Sequence, residues 1–177
     1  MMTYNLGSHG KIRLWWDALP QTYCHVNNKD EYVIVHHSNM NKSSRIVVVE
    51  TLLPRGGRSL YGLLGARYSD TEKENLCIQI GKCDKSSDIF NHSLIASFES
   101  AYVGIPSEYV THVIEGAKKA QKEEKCLGFG LLEFCYAAHG LVSSNALVFE
   151  KLSFAIVNLL GYKSKYASKE QLEKMIR

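Results

Sequence analysis

Two amphipathic helix patterns, each preceded by a strand-like segment and a polar loop, constrain the fold of this chain most. The first pattern follows Pro106, and apolar residues recur through it at helical spacing. The second follows Ser144 and carries an apolar stripe from Val148 to Leu159. A strand-like run at 131–137 lies between them. This order predicts a split β-α-β unit with both helices packed on one face of a sheet.

Strand patterns dominate the residues that precede the first helix. Consecutive β-branched residues from Ile46 to Val49 are typical of a central strand that is covered on both faces. A short helix from about Ser168 to Met175 is predicted to close the chain. The fold class is therefore α+β, with a mostly antiparallel sheet in one domain, 1–177. Further strands are predicted at 12–16, 31–36, 45–53, 60–68, 75–80 and 94–103.

The charge, the cysteines and the apolar stretches indicate which ligands and which cellular compartment the sequence fits. The net charge of +3 over 177 residues is compatible with RNA contact but does not demand it, and no basic run of five residues occurs. Five cysteines with no C-x-x-C pair favour a reducing compartment, so we expect a cytoplasmic protein. Glu150 and Lys151 interrupt the apolar stretch near the carboxyl end, and no membrane span is expected.

Residues that could perform catalysis do not form a recognisable motif. The chain has no phosphate-binding loop of the G-x-x-x-x-G-K-[ST] type. His36 and His37 are adjacent on a predicted strand and would point to opposite faces. Cys135 and His139 would stand about 10 Å or more apart along an extended strand. We therefore expect a non-enzymatic protein with no catalytic residue, no cofactor and no metal, and an enzyme with an unrecognised site is the remaining alternative.

The loop from His139 to Ser144 is the best candidate for a binding site. Two serines at a helix start are first explained by capping, and Ser144 is the expected N-cap. Capping leaves His139 unexplained. A histidine beside helix amides can donate to a phosphate or a ribose and can stack on a base, which favours RNA as the ligand.

These segments resemble domain IV of translational elongation factor G and its ribosome-protection relatives. The family has a Gly-x-Ile-Pro-x-x-Tyr-x-x-x-Val-x-x-Gly helix, and residues 104–116 read Gly-Ile-Pro-Ser-Glu-Tyr-Val-Thr-His-Val-Ile-Glu-Gly. The family's His-x-Val-Asp-Ser-Ser loop corresponds to His139–Ser144, with Phe149 as the early helix phenylalanine. A weaker match lies at Arg55–Gly62. The resemblance covers 55–160, leaving 1–54 as a strand extension and 161–177 as a terminal helix.

The resemblance implies the split β-α-β fold of that domain and a tip that enters the ribosomal decoding region beside RNA. Val142 replaces the acidic residue of the family's loop, and the chain carries no GTPase motif, so translocation itself is not expected. Lys163 and Lys165 are expected as basic support. The residues expected at the RNA- or ribosome-binding tip, including the neighbouring loop, are His139, Gly140, Ser143, Ser144, Ile105 and Pro106.

The sequence thus predicts a binding module for the ribosome or for structured RNA. The alternative is a protein-protein module, acting as an adaptor, an inhibitor or a self-assembling homo-oligomer. In that case Trp15, Trp16 and some of the ten tyrosines would serve as interface anchors, unless strand alternation buries one of the two tryptophans. A basic tip would favour RNA, and a flat aromatic sheet face would favour a protein partner.

Overall fold

The fold is described by a computed structural model covering residues 1–20, 29–35, 44–70, 75–81, 88–124, 127–162 and 167–176. Lys163, Lys165, His36 and His37 lie outside these residues. The described strands are β1 (Met2–Asn5), β2 (Lys11–Trp16), β3 (Lys29–Val35), β4 (Ser44–Arg55), β5 (Arg58–Ser69), β6 (Asn75–Gly81), β7 (Ala101–Val103) and β8 (Gly130–Gly140). The described helices are α1 (Ser107–Glu124), α2 (Ala146–Gly161) and α3 (Lys169–Ile176).

All of these strands belong to one sheet, in the order β1-β2-β4-β5-β8-β6-β3, and β7 also pairs with β8. Every pairing is antiparallel except that of β6 with β8, which is parallel. The α+β class and the mostly antiparallel sheet are therefore confirmed. Strands from the first fifty-five residues join the same sheet as the later ones. None of the helices in the described part of the chain is long and apolar enough to cross a membrane.

Strand β4 lies inside the sheet, as its run of β-branched residues predicts. Val47, Val48 and Val49 are completely buried although consecutive side chains point to opposite faces. On one face the neighbouring β5 packs closely under α2, since a Cβ added to Gly62 would lie 2.8 Å from Val148. The segment 88–100 covers part of the other face, where the Leu94 amide donates to the Glu50 carboxylate.

The two long helices pack side by side, with α2 lying over β4 and β5. Gly116 permits this close approach, because a Cβ there would overlap the carbonyl oxygen of Glu150. The hydroxyl of Ser153 on α2 donates to the carbonyl of Val113 on α1 at 2.6 Å. Helix α3 docks on α2 through buried Leu172 and Ile176.

The structure contradicts the predicted strand at 94–103 and shows which of the two tryptophans is buried. The predicted strand at 94–103 is wrong for most of its length, because the strand begins only at Ala101 and turns precede it. The amide of Leu94 donates instead to the fully buried carboxylate of Glu50 at 2.7 Å, which draws the chain out of an extended path. As expected from alternation, Trp15 is buried and Trp16 is half-buried, so Trp15 is not an exposed anchor.

The carboxylate of Glu50 is the centre of a buried polar cluster beneath these turns. It accepts from the Tyr61 hydroxyl at 3.1 Å and from the Arg13 guanidinium at 3.2 Å. Burial raises the pKa of Glu50, although the Leu94 amide and Arg13 oppose the shift. Burial and the neighbouring Glu50 carboxylate also raise the pKa of Tyr61. Such a cluster fixes the path of the covering segment.

Candidate binding surface at one end of the sheet

Three connections meet at one end of the sheet, which we call the tip end. Strand β8 finishes there at Gly140, which pairs with Ala101 at the start of β7. The β4–β5 hairpin turns at the same end, where Arg55 pairs with Arg58. The residues 140–145 that lead from β8 into α2 form the tip loop. The tip end therefore combines this loop, the hairpin and the segment that precedes β7.

The hydroxyl of Ser144 fastens the tip loop to the sheet. It accepts from the Gly140 amide at 2.8 Å and donates to the Tyr61 carbonyl at 2.8 Å. The Tyr61 amide donates to the Ser143 carbonyl at 2.9 Å, and the Tyr109 hydroxyl of α1 donates to the Ser144 carbonyl at 3.2 Å. The loop is thereby held to β5 and α1 at once.

The N-cap of α2 is Asn145, so the prediction that Ser144 caps this helix is wrong. The Asn145 side-chain oxygen accepts from the Val148 amide at 3.0 Å, and Asn145 has the extended backbone of a capping residue. Ser144 is unavailable for capping because its hydroxyl is occupied by Gly140 and Tyr61. Asn, Asp and Ser are all good caps, and the local sequence alone does not rank these neighbours.

Glu99 supplies a carboxylate to the tip loop that sequence reasoning missed. It accepts from the Val142 amide at 2.7 Å and from the Ser143 amide at 3.3 Å. A carboxylate from another segment thus binds the loop, at which Val142 stands where the family resemblance would place an acid. Glu99 is 43 residues from Val142 in the chain, and no local pattern signals this contact.

His139 is half-buried and engaged with the neighbouring loop. Its Nδ1 lies 3.0 Å from the Gly104 carbonyl oxygen, which can only accept, so Nδ1 carries the hydrogen and Nε2 is the acceptor of the neutral ring. Burial lowers the pKa of His139, which favours this neutral form. In this tautomer Nδ1 donates within the protein, and donation from His139 to a phosphate stays a prediction. The Nε2 atom of the His139 ring is then a hydrogen-bond acceptor.

The other predicted tip residues differ in accessibility. Ile105, Gly140 and Ser143 are buried, and Pro106 and Ser144 are half-buried. The hydroxyl of Ser143 is buried without a hydrogen-bond partner among the described residues. Ile105, Gly140 and Ser143 therefore shape the loop rather than present side chains to a ligand.

Apolar side chains form the outer surface of the tip loop. Leu141 is 71% exposed and Val142 is 89% exposed. Phe98, which precedes the loop-binding Glu99, is 77% exposed. Exposed large apolar groups of this kind mark interaction surfaces when they cluster. Leu141 and Val142 project from a loop whose backbone is fixed by hydrogen bonds, and Phe98 projects from the turns that supply Glu99.

Cationic side chains lie on the hairpin at this end of the sheet and on α2 close to the hairpin. Arg55 and Arg58 are exposed on the hairpin, and Lys151 is half-buried on α2. Burial, followed by the positive charge of Arg55, lowers the pKa of Lys151, so these two cations are close in space. With Leu147 and Leu60 they line a groove of about 340 Å³. An anion in this groove would relieve the repulsion between its cations.

The structure gives no support to nucleophilic catalysis by Cys135. Burial raises the pKa of the Cys135 thiol to about 11, and the thiol donates a weak bond to the Glu133 carbonyl. A protonated thiol is a poor nucleophile. On the seam between α1 and α2, His112, Glu115 and Glu150 place three metal-ligating groups together.

Comparison with known proteins adds no family assignment. The chain matches no family model and none of the curated proteins.

Proposed function

We propose that this protein is a non-enzymatic binding module that engages the ribosome or structured RNA through the tip end. The proposal rests on the resemblance of residues 55–160 to domain IV of elongation factor G. The observation that carries it is a pre-organised loop at the end of the sheet that also carries exposed cations. The tip loop is held by the Ser144 hydroxyl and the Glu99 carboxylate. Arg55 and Arg58 lie on the hairpin at the same end of the sheet, and Lys151 lies close to Arg55.

The cations would supply affinity through phosphate contacts. Arg55 and Arg58 are exposed at the hairpin turn, where a guanidinium can bind a phosphate through two donors. Lys151 is half-buried in the adjoining groove, so a phosphate there would be partly shielded from water. Phosphate contacts of this kind position a protein on RNA without reading its sequence.

The loop would supply recognition of shape. Leu141 and Val142 can pack against sugars or unstacked bases, since they are exposed on a loop whose backbone is already ordered. The acceptor Nε2 of His139 can receive a hydrogen bond from a ribose 2′-hydroxyl or a base amino group. Because the loop is ordered before binding, little conformational entropy is lost on association.

Ribosome co-sedimentation and fluorescence anisotropy with structured RNA, each over a salt series, test the proposal. The variant Arg55→Ala/Arg58→Ala should bind more weakly, and the slope of log affinity against log salt should fall by roughly 1.4 to 1.8 for two lost phosphate contacts. The matched control Lys122→Ala/Lys169→Ala removes the same charge from α1 and α3 and should change affinity little. Absence of binding by the parent protein at low salt contradicts the proposal. An equal loss of affinity in the arginine variant and in the lysine control contradicts it as well.

A second candidate function is binding of a protein partner, favoured by the exposed apolar residues Phe98, Leu141 and Val142. Apolar anchors on an ordered loop resemble the buried centre of protein interfaces. Binding of this kind would be largely insensitive to salt, and Leu141→Asp would abolish it while Arg55→Ala would not. The salt series therefore separates the two functions.

A further inference from the structure

Three side chains with metal-ligating atoms converge on the seam between α1 and α2. His112 and Glu115 lie one turn apart on α1, and Glu150 lies opposite them on α2. The Nδ1 of His112 is 3.7 Å from the Glu115 Oε2 and 3.4 Å from the Glu150 Oε2. One ligand atom from each residue lies within 4.8 Å of the other two.

We propose that these three residues bind a divalent zinc ion. Zinc bonds to imidazole nitrogen and carboxylate oxygen are about 2.0 to 2.2 Å long, so the ligand atoms of a tetrahedral site stand roughly 3.4 Å apart. The two distances from His112 are already close to this value. The carboxylate oxygens of Glu115 and Glu150 lie within 4.8 Å of each other, and rotation of the exposed Glu115 side chain can bring them to the tetrahedral separation. One imidazole and two carboxylates form a set of nitrogen and oxygen donors that suits zinc.

The charge of the cluster favours a dication. Zinc binds carboxylates and imidazole in their deprotonated forms, so this ligand set would bring two negative charges that a zinc ion neutralises. All three side chains are half-buried or exposed, so the ion can enter from solvent without movement of the backbone. Three protein ligands leave the fourth position to water, an open arrangement rather than a closed structural site.

The helix seam holds these ligands in place before any ion binds. Gly116, next to Glu115, allows the α1 backbone to approach the carbonyl of Glu150. The hydrogen bond from the Ser153 hydroxyl to the Val113 carbonyl fixes the same pair of turns. An ion held between Glu150 and the two α1 ligands would cross-link the helices, so zinc should stabilise the folded state by linkage.

Calorimetric titration of the chelator-treated full chain with zinc chloride tests this site. We expect one zinc ion bound through the cluster and a rise in Tm with zinc. The variant His112→Ala should bind zinc at this site at least about tenfold more weakly, because loss of even an indirect ligand partner costs 10- to 100-fold. His92→Ala is the control, since His92 is exposed in the turns before β7, outside the cluster. That variant should bind zinc like the parent.

A second measurement separates loss of the site from loss of folding. Circular dichroism and Tm without zinc should be nearly the same for the parent, His112→Ala and Glu150→Gln. With cobalt(II) as the probe, the visible absorption bands of the parent should disappear in both variants. Unchanged zinc affinity and cobalt spectra in His112→Ala would overturn the proposal, because the ion would then bind elsewhere. Failure of the parent to bind zinc would overturn it as well.

Discussion

The adjacent serines of the tip loop offer a sharp test, because the structure assigns them opposite energetic roles. The hydroxyl of Ser144 makes two hydrogen bonds, to the Gly140 amide and the Tyr61 carbonyl. The hydroxyl of Ser143 makes none among the described residues and is nevertheless buried. Both residues precede α2, which begins at Ala146, so helix propensity does not distinguish their substitution by alanine.

The expected magnitudes follow from these contacts. Ser144→Ala leaves one amide and one carbonyl without their partner, at about 1 to 1.5 kcal/mol each for partly buried groups, so unfolding should become easier by about 2 to 3 kcal/mol. For a chain of 177 residues this corresponds to a fall in Tm of roughly 4 to 12 °C. Ser143→Ala removes a buried hydroxyl that lacks a partner and should be neutral or stabilising by up to about 1 kcal/mol.

Urea unfolding followed by circular dichroism measures both free energies, and each serine is the matched control for the other. Both variants lose the same hydroxyl one residue apart. Equal destabilisation by the two substitutions would refute the assignment of roles, and so would a neutral Ser144→Ala. The double variant should lose about as much stability as Ser144→Ala alone.

Three further predictions concern the helix seam, the buried cluster and the loop. Gly116→Ala should lower the free energy of unfolding by about 1 to 3 kcal/mol in urea, because overlap with the Glu150 carbonyl outweighs the roughly 1 kcal/mol gained in helix propensity; a more stable variant contradicts this. Burial raises the folded-state pKa of Glu50 above its usual 4.5. The stability that Glu50 contributes to the folded state is therefore complete below pH 4.5 and is lost as the pH rises through the folded-state pKa. The stability of the wild type relative to Glu50→Gln should therefore decline with rising pH in matched urea titrations, and a rising difference contradicts the assignment. Glu99→Gln should speed hydrogen exchange at the Val142 amide several-fold by weakening a charge-assisted bond, whereas unchanged exchange would contradict the role of Glu99.

Elements encoded by local periodicity could be predicted from the sequence. The β-branched run at 46–49 identifies a central strand because only burial on both faces suits consecutive apolar side chains. Apolar residues at helical spacing identify α1 and α2, because each row forms the buried face of an amphipathic helix. The edge strand Met2–Asn5 was missed, since its half-exposed pattern is indistinct before the pairing with β2 is known.

Contacts between distant residues could not be predicted. Local patterns did not reveal that Glu50 binds the Leu94 amide, which replaces a strand by turns. They also did not reveal that Glu99 holds the tip loop. The candidate zinc ligands were missed because His112 and Glu150 are 38 residues apart and meet only when the two helices pack. In each case tertiary packing brings a polar group to a partner that is distant in the chain. The spacing of residues in the sequence does not reveal such a contact.

The fastening of the tip loop has a consequence for the order of folding. Its partners are the carbonyl of Tyr61, 83 residues from Ser144, and the carboxylate of Glu99, 43 residues from Val142. Closing such long loops is entropically costly and is completed only after the sheet has assembled. We expect the tip loop to be among the last parts of the chain to become ordered. A partly folded chain would therefore lack the ordered loop, and binding through it would report that folding is complete.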